Sequence, residues 1–181
     1  MKKLGGQNKT TGSTGSENGA ARPLAETADN SRLGSPETYF GAARNELLAN
    51  GVAGLEGSQA LKEPEKEKIE LNQLYLAGEW NFSAEFAQNT GEGARIIFKY
   101  DAKKVFFVAA ADKPVMIKVL RDGVPVGGEK GEDLEDAFGE SVAVVQEPRL
   151  YRLIAEKDYG EHTIEIIATQ PGLKAYTFTF G

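Results

Sequence analysis

Cysteine is absent from the 181 residues of this chain, and histidine and tryptophan occur once each. Without cysteine, the chain carries no thiol nucleophile, disulfide, CxxC redox motif or thiolate metal site. A histidine-based zinc site or a serine–histidine–aspartate triad would have to depend on His162 alone. The sequence therefore predicts a non-enzymatic protein with no catalytic residues, no metal and no cofactor.

Basic residues and long apolar runs are also scarce. Lysine and arginine number 21 against 27 aspartates and glutamates, giving a formal net charge of -6. Because this charge opposes binding to a phosphate backbone, we expect no nucleic-acid partner. No apolar run approaches the roughly 20 residues that cross a bilayer, so we expect no membrane span. The basic start MKK has no apolar segment behind it, so a signal for export would lie elsewhere or have been removed.

The first part of the chain has the composition of a tail followed by a connector. It begins with a stretch rich in glycine, serine, threonine and asparagine, with almost no large apolar side chain to bury. Leu47 and Leu48 then have helix-like spacing before the stop signal Gly51, and a charged connector interrupted by Pro64 follows. We expect a disordered polar tail or linker at 1–34, a junction segment with one short helical turn at 35–68, and the folded domain at 69–181.

Alternating apolar and polar residues dominate the rest of the sequence. In WNFSAEFA the apolar side chains fall on one face, and ARIIFKY repeats the pattern, as half-buried strands do. Asp122-Gly123 lies between runs rich in valine and isoleucine, which predicts a type I′ hairpin. Several further short strands are separated by turns and not by helices. This order predicts an all-β fold, an antiparallel β-sandwich of the jelly-roll or galactose-binding-like kind.

Three groups of residues are candidates for chemistry. His162 shares strand parity with Ile164, which favours a hydrogen-bonded structural histidine at the end of the core. The acidic loop 128–140 lacks the alternating spacing of a calcium loop, so a solvated loop is favoured over a weak structural calcium site. Glu79 and Glu85 would lie roughly 20 Å apart along one strand, too far for glycoside hydrolysis.

Aromatic side chains are the remaining candidates for ligand binding. Rings of tyrosine and tryptophan can stack on sugars while neighbouring polar groups bond the hydroxyls. Trp80 and Tyr176 share parity with apolar neighbours, so the core is their expected place. The predicted ligand-binding residues are Tyr39, Tyr151, Tyr159, Arg149 and Arg152.

From Ser35 onward the order of motifs resembles the C-terminal region of DipZ-type thiol:disulfide interchange proteins. In that family a membrane-embedded electron-transfer portion precedes a thioredoxin-like domain, and a β-sandwich similar to carbohydrate-binding modules ends the protein. This chain departs from the pattern, because no CxxC motif precedes Ser35. The matching segments are SPETYFG (35–41), LAGEW (76–80), RDGVPV (121–126), PRLYRLI (148–154) and AYTFTFG (175–181).

The resemblance implies a non-catalytic binding module of a periplasmic or otherwise extracytoplasmic redox system, which recognises a glycan or cell-envelope polymer. The alternative is a structural sandwich that docks a thioredoxin-like domain, in cis or in trans, or its substrates, without binding sugar. In either case the opening segment would attach the sandwich to a neighbouring domain, with Tyr39 and Phe40 packing at the junction.

Overall fold

The structure is a computed structural model and describes residues 34–181. The expected tail therefore lies outside the described residues, except for Gly34. Within the described part there are eleven strands and two short 3₁₀ turns, and none of its helices has the length and apolar character of a membrane span. The strands are β1 (Thr38–Tyr39), β2 (Gly57–Leu61), β3 (Leu74–Phe82), β4 (Ala87–Asn89), β5 (Ala94–Ala110), β6 (Val115–Arg121), β7 (Val124–Pro125), β8 (Glu135–Ala137), β9 (Glu140–Val145), β10 (Arg149–Ala168) and β11 (Lys174–Phe180), and the 3₁₀ turns are Lys66–Lys68 and Gly127–Glu129.

The strands pair antiparallel in the order β1-β11-β4-β3-β5-β10-β6-β9-β8, with β2 on β3 and β7 on β6. The long strand β5 changes its partner along its length: its first half pairs with β3 and its second half with β11. β10 runs beside both halves and is interrupted by two register shifts. Because these long strands bend from one layer into the next, the sheet folds over a single core, and the predicted all-β antiparallel sandwich is confirmed.

Aromatic rings fill the centre of the core. Phe178 on β11 lies 5.2 Å from Phe107, 5.3 Å from Phe40 and 5.8 Å from Phe98, measured between ring centroids. All four rings are fully buried. Trp80 is also fully buried, and its Nε1 donates a hydrogen bond to the Ala77 carbonyl at 3.0 Å, which confirms the expected core position.

The segment predicted as a junction shares this core. Phe40 is fully buried, and β2 extends the sheet by pairing with β3. The helical turn expected near Leu47 and Leu48 is not formed, because residues 41–50 make turns and Leu48 bridges to Leu74 on β3. Buried apolar side chains thus join the segment to the sandwich, whereas the sequence predicted a domain that begins near residue 69.

Local sequence patterns predicted the positions of turns more accurately than the ends of strands. The Asp122-Gly123 hairpin is confirmed: both residues have positive φ, 53° and 80°, and β6 pairs with β7 across them. WNFSAEFA, in contrast, is not one strand, because β3 ends at Phe82 and β4 starts at Ala87. β5 continues from ARIIFKY to Ala110, and β10 spans Arg149–Ala168, where the sequence predicted several short strands.

Candidate ligand-binding cleft

An open cleft of about 570 Å³ lies where β1, β11 and the β3–β4 turn meet. Its residues come from three parts of the chain that are far apart in sequence. The lining consists of two tyrosines, two charged side chains and several small residues: Tyr39, Gly41, Ala43, Arg44, Ala84, Glu85, Tyr176 and Thr177.

Backbone contacts hold the walls of this cleft together. The turn after β1 is bonded to the β3–β4 turn through Ala42 N to Ser83 O at 2.8 Å and Ala43 N to Ala84 O at 3.0 Å. Gly41 lies so close to that turn that a Cβ atom there would be 2.2 Å from the Glu85 carbonyl carbon. A side chain at position 41 would therefore push the two turns apart, and glycine lets the cleft form with fixed walls.

One wall presents a stacked pair of side chains. The guanidinium carbon of Arg44 lies 3.4 Å from the centroid of the Tyr39 ring, a cation–π arrangement. The Tyr39 hydroxyl donates a hydrogen bond to Glu37, and this bond to a carboxylate raises the pKa of the phenol. Tyr39 is half-buried, so part of its ring remains available to a ligand.

The neighbouring strand β11 contributes Tyr176, which was expected in the core. Its ring packs 5.3 Å from that of Phe86, but it remains partly exposed to the cleft. The reason is a register shift between Ala175 and Thr177, which interrupts the strict alternation of β11. The alternation of side chains along a strand predicts which face each one occupies only where the strand pairing has a regular register. The sequence therefore did not identify Tyr176 as a candidate.

The two charged lining residues are available to a ligand. Neither Arg44 nor Glu85 makes an ion pair with another residue in the described range 34–181. Both side chains are exposed. An arginine offers only donors and a carboxylate only acceptors, so the cleft can bond ligand groups of both kinds.

Of the five predicted ligand-binding residues, only Tyr39 lines the cleft. The prediction for Tyr151 needs correction: its side chain is 1% exposed and belongs to the core. Its hydroxyl donates to the Glu147 carbonyl at 2.9 Å and accepts from the Gln146 N–H at 3.1 Å. A buried ring with a satisfied hydroxyl offers no face for stacking a ligand.

The two predicted arginines contact the acidic loop instead of the cleft. Arg149 lies over the Tyr151 ring at 3.9 Å and pairs with Asp133 at 2.8 Å. Arg152 lies 3.9 Å from Glu132. Loop carboxylates thus have cationic partners, and the described residues include no cluster of acidic and histidine side chains that could hold a metal. The fifth residue, Tyr159, lies beneath Lys103, whose ammonium is 5.0 Å from the ring centroid.

His162 lies in a separate polar cluster. Its Nδ1 is 2.6 Å from Asp122 Oδ2, and its Nε2 is 3.3 Å from Oε2 of the nearly buried Glu156. Glu156 also accepts a hydrogen bond from the Tyr100 hydroxyl at 2.9 Å and pairs with Arg121 at 3.1 Å. Burial and the Glu156 charge raise the pKa of Tyr100 well above its usual range. The cluster ties β5, β6 and β10 together at one end of the sandwich.

The chain is similar to a known family and to two curated proteins. Residues 35–181 match the family described as the thioredoxin-like C-terminal domain. The chain belongs to this family. Its curated relatives include the DipZ proteins of Mycobacterium bovis and Mycobacterium tuberculosis, each 26% identical over 147 residues. The match covers 81% of this chain but only 18% of each DipZ protein, so the chain spans less than a fifth of their length. The resemblance predicted from the motifs is confirmed.

Among solved structures, a family two carbohydrate esterase from Cellvibrio japonicus is similar over 70% of this chain and 33% of its own. The TM-score is 0.48 and the sequence identity 13%.

Proposed function

We propose that this family member is a non-catalytic binding module of an extracytoplasmic thiol:disulfide redox system, and that it recognises a glycan or cell-envelope polymer. The observation that carries the proposal is the cleft lined by Tyr39 and Tyr176 together with the exposed charged side chains of Arg44 and Glu85. The similarity to the DipZ proteins supports the redox context.

The chemistry of the cleft suits a saccharide. Sugar rings have apolar faces that pack on aromatic side chains, and their hydroxyls bond arginine and carboxylate groups. The cleft volume of about 570 Å³ lies within the range of small-ligand sites. Because backbone hydrogen bonds fix the turns that form the walls, a ligand would not have to order them on binding.

The lining supports binding and not catalysis. Glu85 is the only carboxylate among the lining residues, whereas glycoside hydrolysis uses two carboxyl groups about 5 to 10 Å apart. The Thr177 hydroxyl is engaged with the carbonyl of Thr38 at 2.9 Å and has no histidine beside it in the cleft. With no cysteine, the chain would serve the redox system by holding a ligand near it.

An NMR titration tests the proposal. The ¹⁵N-labelled protein is titrated to millimolar concentration with cellulose-, chitin-, mannan- and peptidoglycan-derived oligosaccharides. We expect amide shifts at Tyr39, Arg44 and Glu85 with at least one sugar. Tyr39→Leu should weaken binding about tenfold, equivalent to about 1.4 kcal/mol. Tyr159→Leu is the matched control, because Tyr159 was also predicted to bind but lies outside the lining. No shift with any sugar would remove the proposal.

A second candidate function is docking of a thioredoxin-like domain at the same cleft. The family match begins at residue 35, four positions before Tyr39, so a domain preceding this one in a longer relative would be attached beside the cleft. Titration with the purified thioredoxin-like domain of a DipZ relative tests this function. Shifts at Tyr39 and Arg44 would support docking, and an unchanged spectrum would count against it.

A further inference from the structure

The charges around the cleft restrict the kind of ligand it can hold. Arg44 contributes one positive charge, while Glu85 on the lining and Glu37, bonded to the Tyr39 hydroxyl, contribute two negative charges. These three groups together carry one net negative charge. The whole chain, with its formal net charge of -6, has the same sign.

The stacking of Arg44 determines which of its groups can reach a ligand. The guanidinium carbon lies 3.4 Å from the centroid of the Tyr39 ring, so the ring covers part of the group, while the N–H donors lie in the guanidinium plane. These donors can bond any oxygen acceptor, a hydroxyl or a carboxylate. Arg44 alone would favour an acidic sugar, because its hydrogen bonds to a carboxylate are charge-assisted, so a preference for an uncharged sugar must come from the carboxylates beside it.

Glu85 distinguishes an uncharged sugar from an acidic one. An ionised carboxylate only accepts hydrogen bonds, so its ligand partner must be a donor. A sugar hydroxyl both donates and accepts, and neighbouring hydroxyls can satisfy Glu85 and Arg44 together. A carboxylate or phosphate on the ligand can bond Arg44 only, and it would lie in the repulsive field of Glu85 and Glu37.

We infer that the cleft selects an uncharged saccharide over a polyanionic one, with Glu85 as the residue that rejects acidic chains. The inference rests on the proposed function and specifies its ligand class. Neutral cell-wall or storage glycans fit this site, whereas uronic-acid and phosphate-bearing polymers do not. Since the repulsion acts between partly solvated groups, it should weaken as salt is added.

The test uses pairs of sugars that differ only at C6, where one member has a hydroxymethyl group and the other a carboxylate. Cellotetraose is compared with the β-1,4-glucuronate tetramer, and β-1,4-mannotetraose with the β-1,4-mannuronate tetramer, by NMR titration of the intact chain at low salt. Each acidic member is the same sugar oxidised at C6. We expect an uncharged tetramer to shift the amides of the cleft and its oxidised counterpart to bind at least about tenfold more weakly.

Two variants test whether the discrimination between the sugars depends on Glu85. Glu85→Gln removes the negative charge from an exposed side chain and should reduce the discrimination between members of a pair several-fold. Glu92→Gln removes one charge from the β4–β5 turn, outside the lining, and should leave the discrimination unchanged. Higher ionic strength should also reduce the difference in affinity that the wild type shows between the two members of a pair, as Glu85→Gln does.

The outcomes separate the two proposals. Tighter binding of an acidic tetramer at the cleft would overturn the selectivity and leave glycan binding standing. Equal binding of both members of a pair, or discrimination unchanged in Glu85→Gln, would also overturn it. If no tetramer and no other sugar shifts the cleft amides, the proposed function fails, and the inference fails with it.

Discussion

Asp122 Oδ2 lies 2.6 Å from His162 Nδ1, and this contact joins the β6–β7 turn to β10. The other carboxylate oxygen of Asp122 accepts the Thr163 N–H at 2.9 Å, and the Asp122 N–H donates to the Thr163 carbonyl at 2.8 Å. Partial burial alone would raise the pKa of Asp122, but the hydrogen bonds from Thr163 and His162 outweigh it and lower the pKa. One residue thus forms the turn and fastens it to the neighbouring strand.

The first prediction concerns Asp122 and acid. Because its pKa is lower in the folded state, Asp122 adds stability above the unfolded pKa of about 3.9, and this contribution is lost as the pH falls through the folded value. Asp122→Asn keeps a residue that tolerates positive φ but removes the charge. We expect the variant to be less stable than the wild type at pH 7, with the difference shrinking below about pH 4. Urea unfolding at several pH values measures this difference, and a gap that is constant with pH would contradict it.

The second prediction concerns Phe138, which is fully exposed at the tip of the β8–β9 hairpin. Its φ of 52°, followed by 79° at Gly139, is the geometry of a type I′ turn, where asparagine is preferred. Phe138→Asn should therefore stabilise the protein by about 1 kcal/mol. Phe138→Ala is the control, because it removes the ring without supplying the short polar side chain by which asparagine tolerates the left-handed region. Equal effects of the two variants in urea unfolding would exclude turn preference as the cause.

The third prediction concerns Phe40, which joins the opening segment to the core. Its ring is fully buried and lies 5.3 Å from Phe178 and 5.9 Å from Phe107. Phe40→Ala should cost about 3–5 kcal/mol of unfolding free energy, because it leaves a cavity among aromatic rings. Tyr39→Ala, at the half-buried neighbouring position, should cost clearly less. If both substitutions cost under about 1 kcal/mol, the opening segment contributes nothing to the core.

The fourth prediction concerns Asn89, a buried amide that links distant turns. Its Nδ2 donates to the carbonyls of Gly91 at 2.7 Å and Gln170 at 3.0 Å, and its Oδ1 accepts the N–H groups of Gly172 and Leu173. Asn89→Ala would remove these partners from the buried Leu173 N–H and from three partly buried backbone groups, and it should cost roughly 2–4 kcal/mol.

The exposed Asn81 provides the control for this substitution. Asn81→Ala should change the unfolding free energy by less than about 0.5 kcal/mol. Equilibrium denaturation of both variants makes the comparison, and similar costs at positions 81 and 89 would contradict the role assigned to the buried amide.

The fifth prediction concerns Trp80, the only tryptophan in the chain. Because its indole is fully buried and its N–H is bonded to Ala77, we expect blue-shifted emission and weak quenching by acrylamide. Sugars that bind the cleft should leave the emission unchanged, since Trp80 does not line it. Red-shifted emission protected by a sugar would contradict both the core position and the location of the binding site.

Much of the fold could be predicted from short-range patterns. The period-two alternation indicated strands, the Asp122-Gly123 pair located a hairpin, and the absence of helical segments between strands gave the sandwich class. The motifs from SPETYFG to AYTFTFG identified the family. The strand limits were less predictable, because bulges and turns such as residues 83–86 preserve an apolar pattern while breaking the ladder.

The candidate site could be predicted only in part. Tyr39 was found from the character of its segment, but Arg44, Glu85 and Tyr176 meet it through long-range contacts that no local pattern records. Tyr151 was misplaced because an aromatic residue on a strand next to arginines looks the same in sequence whether its face is covered or open. Here the core covers it, and Arg149 turns back to Asp133.

The sequence by itself determined the class of the protein: an acidic chain without cysteine, built of alternating strands and belonging to a recognisable family. These properties follow from composition and from side-chain periodicity, which are local. Tertiary structure alone decided that Phe40 enters the core while Tyr39 borders a cleft with Tyr176. The physical reason is that successive residues on a strand point to opposite faces, and only the pairing of distant strands determines which face becomes buried and which remains open.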